Sequence, residues 1–218
     1  MTWQDIYAQR RLTAAEAANR IESGWRLCMG MALAEPPAIL AAIAARAEAD
    51  EIDEIKLFYF HSTPHAGATV LRYELMDRIR PHCFFLGPIE RMLLERGEAE
   101  GKRPIAFVPG AFSQAPRLMT DPAPIDAFIA TVSPMDRHGF FSLGTSNDYG
   151  SAVARSAKRV IVEVNKHMPR VRGGMIHVSE VDGIVENDLP LFENPSRAHA
   201  PEDDAIGRIV AGLVEDGA

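Results

Sequence analysis

An α/β fold, an open and mostly parallel sheet with helices on both faces, is the fold class that this sequence predicts. Short apolar runs alternate with helix-like segments along the chain, which is typical of parallel strands joined by helical connections. The length of 218 residues and the 47% share of hydrophobic residues suffice for one domain with a buried core. We expect that domain over 1–200, and the start of a second, similar domain over 201–218.

The elements follow in order from local signals. Thr13-Ala14-Ala15-Glu16 is a capping box and predicts a short helix before the first strand. Pro36-Pro37 and Pro88 predict two further helix starts, since proline suits the first turn, and another helix is expected near Tyr149. Six runs are predicted as strands: 25–31, 54–60, 82–86, 104–108, 126–132 and 158–164.

The last predicted element is a helix near the C-terminus, with Asp203 as its N-cap. Its apolar residues recur at helical spacing: Ile206, Ile209, Val210, Leu213 and Val214. Asp216-Gly217 follows, a turn pair that normally leads into another element. The chain also opens with a helix followed by a turn of an acidic residue and glycine, so the same order of elements begins near both ends of the sequence. We expect the functional protein to continue beyond Ala218.

Composition excludes several classes of partner and site. The net charge of −7 is spread along the chain with no basic block longer than two residues, which argues against nucleic-acid binding. The N-terminus lacks the pattern of a signal peptide, and no apolar run is long enough to cross a membrane, so we expect a cytoplasmic location. Cys28 and Cys83 lie in apolar runs and are interpreted as buried, reduced thiols without disulfide or metal.

Ligands of such sheets gather at the carboxyl ends of the strands, and the loops there carry unusual residues. Glu35 follows the first strand, where it is either a site residue or a plain acidic residue at a helix N-terminus. Between 133 and 149, Gly144 allows close backbone approach, and Ser146, Asn147 and Asp148 can cap the next helix or bind a ligand. Capping is the favoured interpretation. Ser146 is not a nucleophile elbow, because Asp148 stands where the second glycine is needed.

Two further segments allow alternative interpretations. After the sixth predicted strand, Arg170 and Arg172 either hold an anion or lie in a solvated turn, and the turn is favoured. His61 and His65 have the spacing of a helical metal pair, but Pro64 between them disfavours a helix, and we predict no metal.

The distinctive segments occur in a fixed order: Glu35-Pro36, Val132-Ser133-Pro134-Met135-Asp136, His138-Gly139, Ser142-Leu143-Gly144-Thr145-Ser146, Asp148-Tyr149, Val164-Asn165, Met168-Pro169, Ile176-His177-Val178-Ser179-Glu180-Val181-Asp182, Ala205-Ile206-Gly207 and Asp216-Gly217-Ala218. In this order they resemble the acetyl-CoA hydrolase and 4-hydroxybutyrate CoA-transferase family over nearly the whole chain. One departure is Ala34, where family members often carry glycine.

The resemblance implies two tandem open α/β domains and a glutamate that attacks an acyl-CoA thioester to give an acyl anhydride and then a glutamyl-CoA. The nucleophile belongs to the second domain in the family pattern, so no catalytic residue is expected here and the isolated chain is predicted to be inactive. The substrates would be acyl-CoA and a small carboxylic acid or water, without a permanently bound cofactor, in a protein expected to be a homo-oligomer. The residues carried over as substrate-binding are Glu35, Gly144, Ser146, Asn165, Met168 and Pro169.

Two classes of function remain open. In the first, the chain is the N-terminal half of a CoA-transferase or acyl-CoA hydrolase, with Phe140, Phe141, Leu143 and Met168 hinting at an apolar acyl pocket. In the second, it is a stand-alone ligand-binding module or the non-catalytic subunit of a two-chain CoA-transferase. The choice between transferase and hydrolase, and the acyl group, are left open by the sequence.

Overall fold

A computed structural model describes residues 2–193 and 198–218. The α-helices are α1 Trp3–Arg10, α2 Ala14–Ala18, α3 Pro37–Glu48, α4 Pro64–Ala68, α5 Pro88–Ala99, α6 Ala115–Thr120, α7 Gly150–Ser156 and α8 Pro201–Ala211. The strands are β1 Arg26–Met29, β2 Ile55–Tyr59, β3 Ile79–Cys83, β4 Ala106–Phe107, β5 Ala127–Val132, β6 Phe140–Ser142, β7 Arg159–Val164, β8 Met175–His177 and β9 Gly183–Glu186.

The strands build the predicted sheet. Seven of them lie in the order β4-β3-β2-β1-β5-β7-β9, and every pair is parallel. A separate antiparallel pair, β6 with β8, carries the segment that follows β5. The interior strand β5 is buried at all six positions, as expected for a sheet covered on both faces.

Helices cover both faces, which confirms the predicted layers. One core lies between the sheet and α2, α3, α4 and α5, and includes Leu40 and Ile43 of α3 and Leu93 of α5. The other lies between the sheet and α1, α6 and α7, and includes Met119 and Val153. Cys28 and Cys83 are buried free thiols, as predicted.

Most strand predictions are confirmed within one or two residues, and the third is wrong by three. β3 begins at Ile79 instead of residue 82, because its pairing with β2 extends over Pro81, which interrupts the apolar run. The predicted strand at 104–108 shortens to two residues. The pattern missed β6, β8 and β9, which have only three or four residues each.

Helix starts follow their capping chemistry. Thr13 and Glu16 form both hydrogen bonds of the predicted box, and α3 and α5 begin at Pro37 and Pro88. The prediction of Asp203 as the α8 cap is wrong: Ala200 is the N-cap residue, and the Asp203 carboxylate accepts a hydrogen bond from its N–H at 2.9 Å. The five apolar residues of this C-terminal segment named above are each more than half exposed. Within the part of the chain that the structure describes, no helix has the length and apolar character needed to span a bilayer.

Candidate substrate-binding site

The loops that follow β1, β2, β5 and β7 meet at the carboxyl edge of the sheet. Hydrogen bonds between backbones tie them together: Ala32 donates to the His61 carbonyl at 3.1 Å, and Asn165 donates to the Val132 carbonyl at 3.0 Å. The Tyr149 hydroxyl, just before α7, donates to the Met29 carbonyl at 2.8 Å. The edge at which the sequence predicted a site is therefore one connected polar framework.

Glu35 lies at the centre of this framework with 3% of its surface exposed. Its carboxylate accepts hydrogen bonds from the Thr63 N–H at 2.8 Å and from the Thr63 hydroxyl at 2.5 Å. Its backbone carbonyl accepts from the Thr131 hydroxyl at 2.6 Å. Glu35 thus joins the loop after β1 to the loop after β2 and to β5, which is more than a plain acidic residue at a helix start would do.

Burial raises the pKa of Glu35 to about 8, with the nearby Glu90 charge adding to the effect and the Thr63 hydrogen bonds opposing it. The carboxyl group is therefore mostly protonated at neutral pH. A protonated carboxyl group can donate as well as accept a hydrogen bond, and it carries no charge that would need a counterion.

The backbone before Glu35 explains why this loop is compact. Ala32 adopts φ +50°, a left-handed conformation, and a Cβ on Gly30 would overlap the carbonyl oxygen of Ala34. Ala34 itself is buried and has no positive φ, so the alanine at this position does not strain the loop. Glycine is therefore needed at position 30, where a Cβ would overlap Ala34, while position 34 accommodates alanine.

Asn165 shares a small cavity with Glu35. The cavity has about 20 Å³, which is room for about one water molecule, and Thr63, Thr131 and the segment 189–192 also line it. Asn165 is 3% exposed, and both ends of its amide are engaged: it donates to the Leu189 carbonyl at 2.7 Å and accepts from the His167 N–H at 2.8 Å. It therefore fixes the segment that roofs the cavity.

Gly144, Met168 and Pro169 form a second group. Gly144 has φ +64°, and a Cβ there would overlap Met168 Sδ and come within 3.3 Å of the Pro169 carbonyl oxygen. Met168 is 2% exposed, whereas Pro169 lies on the surface. The Met168 N–H donates to the Asn165 carbonyl at 3.1 Å, so this group joins the Glu35 cavity through a single turn.

Ser146 lies beside this group but does not cap α7. Tyr149, the N-cap residue, forms no side-chain cap of its own, but the Asp148 carboxylate accepts a hydrogen bond from the Tyr149 N–H at 2.6 Å. Burial raises the pKa of Asp148, and hydrogen bonding to the Gly150 backbone opposes that rise. Asn147 packs against Gly174, where a Cβ would overlap the amide. The favoured capping interpretation is therefore wrong for Ser146 and Asn147, whereas Asp148 does bond to backbone N–H groups at the start of α7. Ser146 remains 8% exposed.

The structure also tests two minor interpretations. Phe141, Leu143 and Met168 are buried, and Phe141 and Leu143 belong to the core over α6 and α7, so they do not line an open acyl pocket. Arg170 is exposed in a loop, as the favoured solvated turn predicts, but it also pairs with Asp136 and donates to the Phe140 carbonyl at 3.1 Å, so it is tied to the β6 loop and is not free to hold an anion.

His65 proves to lie inside α4, because Pro64 occupies the first turn of that helix instead of preventing it. In residues 2–193 and 198–218 no cluster of three histidine, cysteine or acidic side chains has the geometry of a metal site.

Sequence reasoning missed four residues of the framework. Thr63 and Thr131 hold Glu35, as described above. Glu90, fully buried on α5, accepts hydrogen bonds from the Tyr59 and Ser62 hydroxyls at 2.9 and 2.6 Å. Glu163, fully buried in β7, accepts from the Ala38 and Ile39 N–H groups at the start of α3 at 3.0 and 3.1 Å, and from the Asn187 amide at 2.6 Å. A charged residue inside an apolar strand was the available signal for Glu163.

Comparison with known proteins identifies the family of this chain. The profile of the acetyl-CoA hydrolase/transferase N-terminal domain matches residues 1–191. The chain belongs to the acetyl-CoA hydrolase/transferase family. It is 33% identical to the succinyl-CoA:cyclohexane-1-carboxylate CoA transferase of Geobacter metallireducens, over 99% of this chain and 47% of that protein. It is also 33% identical to the 4-hydroxybutyrate coenzyme A transferase of Clostridium kluyveri, over 100% of this chain and 49% of that protein.

The solved structure of a related protein confirms the fold. RipA from Yersinia pestis superimposes with a TM-score of 0.97 at 50% identity, covering 100% of this chain and 51% of RipA. The chain thus spans about half the length of the relatives it matches. Members of this acetyl-CoA hydrolase/transferase family act on CoA thioesters, and the carboxyl edge around Glu35 is the part of this domain where a parallel sheet of this kind binds ligands.

Proposed function

We propose that this chain is the N-terminal half of an enzyme that moves CoA from an acyl-CoA to a carboxylic acid, or to water, through a glutamyl-CoA intermediate. The observation that carries the proposal is that relatives with CoA-transferase names match the whole chain with only half of their own length. In this proposal the nucleophilic glutamate lies in the other half, and this chain alone is inactive.

The proposed chemistry needs an ionised carboxylate that reaches a thioester. Its oxygen attacks the thioester carbonyl and the CoA thiolate leaves, giving an acyl anhydride. The thiolate then attacks the glutamyl carbonyl of the anhydride and the acyl carboxylate leaves. An acceptor carboxylate then attacks the glutamyl-CoA carbonyl and the CoA thiolate leaves, which gives a second anhydride. The thiolate attacks the acceptor carbonyl of this anhydride, which forms the new acyl-CoA and frees the enzyme carboxylate. Where water attacks the glutamyl-CoA carbonyl instead, CoA and the enzyme carboxylate are released. Dividing the exchange in this way replaces one difficult step by easier ones.

The glutamates at the carboxyl edge of this chain do not meet that need. Glu35, Glu90 and Glu163 are 3%, 0% and 0% exposed, and each is held by hydrogen bonds to neighbouring loops or helices. The cavity beside Glu35 has about 20 Å³, which is too small for the carbonyl carbon and sulfur of a thioester together. This supports a nucleophile supplied from elsewhere.

The role proposed for this half is to form one wall of the substrate cleft. Gly144 and Ser146 would bring backbone and hydroxyl groups near the substrate, with Met168 and Pro169 beside them and Glu35 and Asn165 fixing the loops behind. The exposed apolar residues of the C-terminal segment, Ile206, Ile209, Val210, Leu213 and Val214, support a further part of the protein packing over α8.

The deciding experiment uses the complete protein and this chain in parallel. Each is incubated with acyl-CoA and then with borohydride, and peptides are mapped by mass spectrometry for a reduced glutamyl group. We expect the complete protein to show one such glutamate after residue 218 and this chain to show none. Absence of an adduct in a complete protein that is folded and binds acyl-CoA would refute the proposal.

The same exposed apolar face also fits a second candidate, a non-catalytic subunit whose catalytic partner is a separate chain. The intact mass of the polypeptide in its source cell separates the two. A mass near twice 23.9 kDa supports one two-half enzyme, and a mass matching this chain, with a co-purifying partner that forms the glutamyl adduct, supports the two-chain form.

A further inference from the structure

Three basic side chains lie in one row across the sheet, at the edge opposite to Glu35. The register pairs Arg26 of β1 with Lys56 of β2, and Lys56 with Arg80 of β3. Paired residues of neighbouring strands project from the same face, and strands are about 4.8 Å apart. Each of the three is the first or second residue of its strand, so the row lies at the amino edge.

A groove at this edge has the size of a small-molecule site. Its volume is about 510 Å³, within the range of about 300 to 1,000 Å³ that is common for ligand pockets. Five cationic side chains line it, against the two carboxylates of Glu54 and Asp77. The cationic residues are Lys56, Arg78, Arg80, Lys102 and Arg103.

The groove lacks enough counterions of its own. Arg78 pairs with Asp50, and Lys102 with Glu100 at 3.4 Å. Lys56, Arg80 and Arg103 form no ion pair with any residue of 2–193 or 198–218.

Like charges directly opposite one another on neighbouring strands destabilise a sheet. The positive charge of this row also acts on His82, which lies two residues after Arg80 on the same face of β3. Burial lowers the pKa of His82, and the charges of Arg80, Arg26 and Lys56 lower it further. An anion bound in the groove would remove this repulsion. Lys56 and Arg80 are exposed, so solvent screens part of the repulsion, and a bound anion is expected to stabilise the fold by relieving the remainder.

We propose that this groove binds a small anion carrying several phosphate groups. Lysine and arginine are the residues that bind phosphate oxygens, arginine through its planar fork and lysine as a point charge. Lys56 and Arg80 are neighbours across β2 and β3, and Arg103 lines the same groove from the segment after α5, so a chain of phosphates matches the spread of the three cations better than a single phosphate does. The net charge of −7 over the whole chain disfavours a nucleic acid as the ligand.

The site is separate from the proposed CoA chemistry. Glu35 and Thr63 follow the carboxyl ends of β1 and β2, while Lys56 and Arg80 stand near the amino ends of β2 and β3. A strand of five residues is about 16 Å long, so a ligand in the groove does not touch the Glu35 framework. Failure of the proposed function would leave this inference intact.

The test is calorimetric titration of this chain with inorganic tripolyphosphate at low ionic strength. We expect saturable binding at one site, at least tenfold weaker binding in the triple variant K56Q/R80Q/R103Q, and a decline with added salt. A matched triple variant, R91Q/R137Q/R155Q, removes the same charge from exposed arginines outside the groove and is expected to bind as the wild type does. Equal weakening in both variants, or no saturable binding, would overturn the proposal.

Two further readouts locate the ligand and identify its class. Bound tripolyphosphate should slow acetylation of Lys56 and leave Lys166, which follows the carboxyl end of β7 and pairs with Asp188 at 3.1 Å, unaffected. Equal protection of both lysines would contradict a site in the groove. Repeating the titration with ATP separates the sources: tighter binding than tripolyphosphate indicates a nucleotide, and equal binding indicates recognition of the phosphate chain alone.

Discussion

Replacing Glu35 by glutamine is expected to remove a loss of stability that the wild type suffers as pH rises. The exchange preserves both contacts with Thr63, because the glutamine oxygen can accept from the Thr63 N–H and its NH₂ can donate to the Thr63 hydroxyl oxygen. The side chain keeps its size in a site that is 3% exposed. What changes is that position 35 can no longer ionise.

The magnitude follows from the difference between folded and unfolded pKa values. Glu35 has a pKa of about 8 when folded and an ordinary value of 4.5 when unfolded. Between these values the folded protein holds a proton that the unfolded chain releases, so stability is full below pH 4.5 and is lost as pH rises towards 8. Linkage gives a loss of about 2.5 kcal/mol between pH 5 and pH 7 for this one group.

Urea denaturation of the wild type and of Glu35→Gln at pH 5 and pH 7 measures this difference. The variant should gain about 2.5 kcal/mol over the wild type on going from pH 5 to pH 7. Glu95→Gln, which removes an exposed carboxylate from α5, serves as the control and should follow the wild type. A gain that is the same at both pH values, or a greater gain at pH 5, would refute the assignment of a buried and protonated Glu35.

Three further substitutions test the framework. Gly144→Ala should lower the free energy of unfolding by about 2 to 4 kcal/mol, because φ is +64° and the new Cβ overlaps Met168, whereas Gly101→Ala, at φ +69° with open space around it, should cost only about 1 kcal/mol. Similar losses in both would show that backbone strain alone matters. Glu163→Ala should cost about 3 kcal/mol by urea denaturation, since it leaves three donors unpaired, and Glu163→Gln should recover part of it. Thr131→Val should cost about 1 kcal/mol through its hydrogen bond to the Glu35 carbonyl, and an unchanged midpoint would contradict that role.

Much of the fold could be predicted because its main sequence signals are local. Alternating apolar runs, the Thr13 capping box and the proline helix starts depend on neighbours in sequence. The capping box and the starts at Pro37 and Pro88 were found where expected, and five of the six predicted strands begin and end within two residues of their predicted bounds. The elements that were missed depend on distant pairing. β9 has four residues and gains its identity only beside β7, and β3 extends through Pro81 because β2 supplies the register.

The candidate site was predicted in part for the same reason. Glu35 and Asn165 stand next to strand ends, so their meeting at one cavity follows from a parallel sheet. Thr63 and Glu90 could not be assigned in this way. Thr63 bonds to Glu35, 28 positions earlier in the chain, and Glu90 bonds to Tyr59, 31 positions earlier. The loop sequence singled out Gly144 and the family resemblance added Met168 and Pro169 as its companions, and the close packing of the three explains why a glycine is needed at position 144.

Buried carboxylates lie at the carboxyl edge of this sheet and a group of cations lies at the amino edge. The direction of the helices gives a physical reason for this difference. Each helix that follows a parallel strand starts at the carboxyl edge and ends at the amino edge, so its partial positive end faces the first and its partial negative end the second. Glu163 accepts from the first N–H groups of α3, and Glu90 lies in the first turn of α5. Lys102 and Arg103 follow the last residue of α5 at the opposite edge.

Helix dipoles therefore favour buried carboxylates at the carboxyl edge of the sheet and cations at its amino edge. The acids find their partners within the fold, through backbone N–H groups and hydroxyls. Lys56, Arg80 and Arg103 do not, since the described residues offer them no carboxylate within ion-pair distance. A dipole accounts for up to about 1 kcal/mol per exposed charge and fades within one helical turn, so it cannot by itself compensate three neighbouring cations. The remainder of the compensation has to come from solvent ions or from a bound anion, and the titration with the two triple variants decides between them.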